Sequence, residues 1–106
     1  MKPLRVFRDL FGDQIELSHA RWKHVCETHP ELVGLIEKLG ETLRQPDLVK
    51  LSKSDSDVRL YCKFFPRVMK GKYIVTVVRI SKPSFFLTAY ISDYIKAGEE
   101  LWRRKS

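Results

Sequence analysis

Val58-Arg59-Leu60-Tyr61-Cys62-Lys63-Phe64-Phe65 is the stretch that decides the fold. Val58, Leu60, Cys62 and Phe64 alternate with Arg59, Tyr61 and Lys63, the two-residue period of a β-strand with unlike faces. Two more strand-like runs follow. Tyr73–Ile80 is apolar on both sides, as a central strand is, and Phe85–Ile91 alternates Phe85, Leu87, Ala89 and Ile91 with Phe86, Thr88 and Tyr90. Between them, Pro66–Lys72 (with Gly71) reads as a hairpin and Lys82-Pro83-Ser84 as a second reversal. Short reversals join antiparallel neighbours, so the runs form a meander. Alternation then puts Arg59, Tyr61 and Lys63 on one face, with Thr88 and Tyr90 beside them.

Upstream of this meander the pattern is different. Residues 4–8 and 13–17 are short strand-like pieces around a Gly12-Asp13 turn. Ser18 then caps a helix carrying Trp22, Val25 and Cys26 on one side. Thr28-His29-Pro30-Glu31 fits a capping box with an early proline, which predicts a second helix with the stripe Leu32, Leu35, Ile36, Leu39 and Leu43. Gly40 weakens that helix locally and Pro46-Asp47 ends it. Leu48–Leu51 is a short strand, Ser52–Ser56 a polar turn, and Asp93–Trp102 a short closing helix. The fold class is therefore α+β: N-terminal helices on one face of a roughly four-stranded antiparallel sheet, with a short C-terminal helix.

Composition bounds the function. At 106 residues, with 43% hydrophobic and 31% charged residues and no repeats or linker, residues 1–106 make one ordinary globular domain. No apolar run approaches the roughly 20 residues of a bilayer span, and Arg5, Arg8 and Asp9 interrupt any signal-peptide core, so a cytoplasmic protein with no membrane association is expected. Cys26 and Cys62 read as reduced, buried thiols. The net charge of +7 is unevenly spread: Asp57–Lys82 holds seven basic residues (Arg59, Lys63, Arg67, Lys70, Lys72, Arg79, Lys82) against one acid. A localised positive field fits a polyanion, and together with Tyr61 these side chains are the expected nucleic-acid contacts.

A metal site is not expected. Hydrolytic metals need converging carboxylates or histidines, and His19, His24 and His29 recur at spacings of five, which does not align neighbours on a helix face. Metal-free RNA cleavage asks for less: a base, an acid and a cation for the charge that develops as the ribose 2′-OH attacks its own phosphate. Histidine supplies proton transfer near neutral pH, arginine matches phosphate oxygens, and Tyr or Thr orients the substrate. No cofactor is implied.

With those residues in view, the chain resembles the phage and mobile-element nuclease domains of the barnase–EndoU–colicin–RelE-like (BECR) group. The likeness is carried by His24-Val25…Thr28-His29-Pro30-Glu31-Leu32, Thr42-Leu43…Pro46-Asp47, Val58-Arg59-Leu60-Tyr61, Tyr73-Ile74-Val75, Leu87-Thr88-Ala89-Tyr90 and Ile95-Lys96…Gly98-Glu99…Leu101-Trp102. It covers about residues 15 to 102. The resemblance implies helices packed on a four-stranded antiparallel sheet and a metal-independent RNase site on that sheet. It also implies the actors: His29 or His24 on a helix, Arg59 on a strand, and Thr88 or Tyr90 on the final strand. The expected activity is an endoribonuclease, toxin-like, leaving a 2′,3′-cyclic phosphate, with RNA as partner and an acidic antitoxin or immunity-type protein as its restraint. The alternatives are a non-catalytic nucleic-acid-binding module and a basic protein-interaction domain.

Overall fold

In a computed structural model describing residues 2–95 and 98–105, the chain runs β1 (Arg5–Arg8), β2 (Gln14–Leu17), α1 (His19–Thr28), a single 3-10 turn (Pro30–Leu32), α2 (Ile36–Arg44), β3 (Leu48–Leu51), β4 (Val58–Phe65), β5 (Lys72–Arg79), β6 (Ser84–Ser92) and β7 (Glu99–Arg103). The α+β layout is as expected. The sheet is larger: seven strands in the order β1-β2-β6-β5-β4-β3-β7. It is also mixed, because the β1–β2 hairpin joins β6 in parallel through Ile15↔Ser84 and Glu16↔Phe85. A parallel contact of two residues leaves no local signature, so the four-stranded antiparallel expectation fails here.

The expected C-terminal helix over Asp93–Trp102 is also corrected. Residues 96 and 97 of that range lie outside the described residues, and Glu99–Arg103 is a strand. Its pairing with β3, including Val49↔Trp102 and Leu48↔Arg103, outweighs local helix preference, and Trp102 packs on the main core. Ser18 does cap α1, its Oγ accepting the Arg21 N–H at 3.0 Å. The long second helix does not form from Thr28. The chain makes a 3-10 turn after His29, turns at Gly34 (φ +83°), and only then begins α2.

The main core fills the space between α1, α2 and one face of the sheet, with Leu17, Val25, Leu39, Leu43, Ile74 and Phe86 at its centre. Gly40 is what lets α2 sit so close: a Cβ there would stand 2.5 Å from Phe7 Cε1. A smaller cluster of Leu48, Cys62 and Val75 occupies the opposite face, with Leu60, Val77, Tyr90 and Ile95 packed around it. β6 ends beside Tyr73, and Ile95, three residues later, packs on this second face. Just before β7, Gly98 lies against the Leu51 carbonyl, 2.9 Å from where a Cβ would be. Both cysteines are free thiols; Cys62 is buried, with desolvation raising its pKa to about 12, whereas Cys26 is only half-buried. No helix among the described residues is long and apolar enough to cross a membrane.

Candidate functional site

The residues proposed to share one face lie on two. Arg59, Tyr61 and Lys63 point to the helix side of the sheet, whereas Thr88 and Tyr90 lie on the opposite side with Val77 and Leu60. The physical reason is compensation. Tyr61 is completely buried, and its hydroxyl donates a hydrogen bond to Oδ2 of the buried Asp9 carboxylate. Asp9 Oδ1 accepts the N–H groups of Phe11 (3.0 Å) and Asp13 (2.8 Å), so this carboxylate builds the β1–β2 turn and fastens it to β4. Arg59 Nη1 lies 3.7 Å from Asp9 Oδ2, 3.3 Å from Asp13 Oδ2 and 3.4 Å from the Tyr61 hydroxyl, with its guanidinium over the Phe11 ring. Lys63 donates to the Gln45 carbonyl (2.8 Å) and lies 4.0 Å from Glu41. A polar strand face is thus sealed by acids brought from a turn and a helix. Tyr61 offers no surface to a nucleic acid, and the Arg59 charge is already engaged.

The second face carries different chemistry. Thr88 and Tyr90 sit two residues apart on β6, opposite Val77 and Val75 of β5. β2 pairs with β6 only at Ser84 and Phe85, so the rest of that edge is met by α1 and the turn after it. Arg21 of α1 donates to the Leu87 carbonyl there at 3.2 Å. The same packing carries His29, the residue that ends α1, to a ring-centroid distance of 6.2 Å from Tyr90. Glu31 Oε2 lies 3.6 Å from His29 Nδ1. Burial raises the Tyr90 pKa, so its phenol is a neutral donor at physiological pH. Next to Tyr90 a cleft of about 300 Å³ is lined by Lys50, Ser52, Lys53, Leu60 and Val77.

The remaining candidates are dispersed. His24 is exposed on α1 in a shallow depression with Ser18 and Arg21, and His19 is exposed at the start of that helix. Arg79 is paired with Asp55 (2.9 Å), and Lys72 with Asp93. Arg67 and Lys70 lie in the β4–β5 turn and Lys82 in the β5–β6 turn, at opposite ends of the sheet, so the expected basic hairpin is not one continuous patch. Sequence reasoning missed Lys50, Ser52 and Lys53. The alternation of Leu48-Val49-Lys50-Leu51 carries a signal for Lys50, which shares the face of Leu60 and Leu48. Asp9 had no such signal, since a turn acid gives no sign that it will be buried. Comparison with protein-family models, curated proteins and solved structures finds no match to this chain.

Proposed function

We propose that this chain is a metal-independent endoribonuclease that works on the sheet face turned away from the helices. The observation that carries this reading is the His29–Tyr90 pair, with Glu31 on His29 Nδ1, at the rim of a face that also holds Thr88 and a lysine-lined cleft. In the proposed reaction His29 Nε2 takes the proton of a ribose 2′-OH. The 2′-oxygen attacks the adjacent phosphorus, the P–O5′ bond breaks, and the leaving 5′-oxygen takes a proton from solvent water as His29 returns its own to solvent, giving a 2′,3′-cyclic phosphate and a 5′-hydroxyl. Tyr90 and Thr88 orient the phosphate by hydrogen bonds, and Lys50 and Lys53 offset the charge of the phosphorane. This is the reaction class that the sequence resemblance to BECR nuclease domains implies. This reading moves the cationic role away from Arg59, whose contacts suit it to holding the β1–β2 turn. A toxin-like activity of this kind would be restrained by an acidic partner covering the lysines.

The test is cleavage of cellular RNA in excess EDTA by wild type, His29→Gln and Tyr90→Phe, with analysis of product ends. Cyclic ends that fall by about a hundredfold or more in His29→Gln, with DNA left intact, are expected. Undiminished cleavage by His29→Gln overturns the site. Salt-sensitive RNA binding without any cleavage by wild type would leave a binding module instead.

A further inference from the structure

Among the described residues the outer edge of β7 has no neighbour: the strand order ends there, and Glu99, Glu100, Leu101 and Arg103 are exposed. Free edges recruit other strands unless something prevents it. The sequence of this edge, Glu99-Glu100-Leu101-Trp102-Arg103-Arg104, is acidic at one end and basic at the other, so it is complementary to itself when reversed. A parallel neighbour of the same sequence would instead align like charges.

The bulge in β7 fixes the register. Glu100 is opposite Lys50 and Arg103 opposite Leu48, with the irregularity falling between. Lys50 and Leu48 both lie on the face away from the helices, so Glu100 and Arg103 share that face although they are three residues apart. Their side chains confirm it, with Glu100 Oε1 2.8 Å from Arg103 Nη2 and 2.9 Å from its Nε. Arg104 donates its backbone N–H to Asp47 at 3.0 Å, which turns it inward and leaves the backbone groups of Arg103 facing the free edge.

We propose that β7 is a homodimerisation edge, two copies pairing their β7 strands antiparallel about a twofold axis between Leu101 and Trp102. Glu100 of each copy then faces Arg103 of the other, on one face of a continuous sheet. Each Glu100 lies between two arginines and each Arg103 between two glutamates, an alternating ring of four charges. Glu99 lies across from Arg104, whose guanidinium is held by Asp47 at 3.1 Å, and Leu101, 42% exposed in the single chain, is covered at the axis. The interface is isologous, so each single substitution acts twice.

Sedimentation equilibrium from about 10 µM to about 1 mM tests this, a range suited to a short interface. Wild type is expected to show a concentration-dependent dimer. Glu100→Arg and Arg103→Glu, each alone, set like charges opposite one another and are expected to weaken the dimer by about tenfold or more. An equimolar mixture of the two variants restores opposite charges at both contacts and is expected to dimerise at least as well as wild type. That recovery also shows that neither variant is misfolded. Wild type that stays monomeric throughout, or a mixture no better than its components, overturns the proposal.

Discussion

Replacing Tyr61 with Phe removes one oxygen atom from the core and tests whether the Asp9 anchor holds the β1–β2 turn to the sheet. The substitution leaves the ring packing intact, so the change falls on the two bonds of the hydroxyl, to Asp9 and from Arg59 Nη1 at 3.4 Å. The Asp9 side chain is inaccessible to solvent, and after the substitution its Oδ2 keeps only Arg59 Nη1 at 3.7 Å, while Oδ1 keeps the Phe11 and Asp13 N–H groups. Hydrogen bonds to a charged group are worth about 1.5–3 kcal/mol, and a slight approach of Arg59 recovers a part. The expected loss is therefore about 2 kcal/mol. In urea, with a slope of roughly 1.5 kcal/mol/M, the unfolding midpoint falls by about 1.3 M at unchanged slope. Arg59→Met in the same background measures the coupling. If both groups serve one carboxylate, the double variant departs from additivity by about 1 kcal/mol. A midpoint shift below about 0.3 M for Tyr61→Phe, or strict additivity, would refute the reasoning.

Alkaline pH probes the same phenol. Burial, then the Asp9 carboxylate, raises the Tyr61 pKa well above its ordinary 10.0, so the folded chain keeps a proton that the unfolded chain releases. Its contribution is complete below the unfolded pKa and is lost as pH rises beyond it, at about 1.4 kcal/mol per pH unit. Wild type should therefore lose stability between about pH 10 and 11.5 more steeply than Tyr61→Phe, and equal slopes in urea titrations would contradict the assignment. At Gly40, alanine should destabilise despite its better helix propensity. The gain of about 1 kcal/mol is outweighed by displacing the buried Phe7 ring, for a net loss of about 1–2 kcal/mol. A rise in thermal midpoint for Gly40→Ala would show that Phe7 moves freely.

The central strands were legible because Val58–Phe65 and Phe85–Ile91 alternate and Tyr73–Ile80 is apolar throughout. Which side of β4 is covered was not. Both sides contain residues that can be buried, and the covered one is the more polar because Asp9 and the Gln45 carbonyl satisfy Tyr61 and Lys63 from distant parts of the chain. Period-two patterning reports that faces differ, and it reports burial only when the polar residues on one face have no internal partners. The candidate site divided along the same line. Thr88, Tyr90 and His29 were found by residue type and motif, and Tyr90 and His29 meet as rings at the sheet rim. Arg59 was drawn to them by its charge, and a sequence gives no sign that an arginine's charge is already met by Asp9 and Asp13. The C-terminal strand failed for a different reason: Glu99–Arg103 gains its conformation from Leu48–Leu51, about fifty positions earlier.

That long-range pairing has a consequence for how the chain comes to be complete. β3 is made early but acquires its second neighbour only when β7 arrives, after the meander has been made. Until then Leu48–Leu51 is itself an open edge, bearing Leu48 and Val49, both buried once the sheet is whole. During synthesis the nascent chain would therefore pass through an interval in which this strand faces outward, closed only once Glu99–Arg103 has been made.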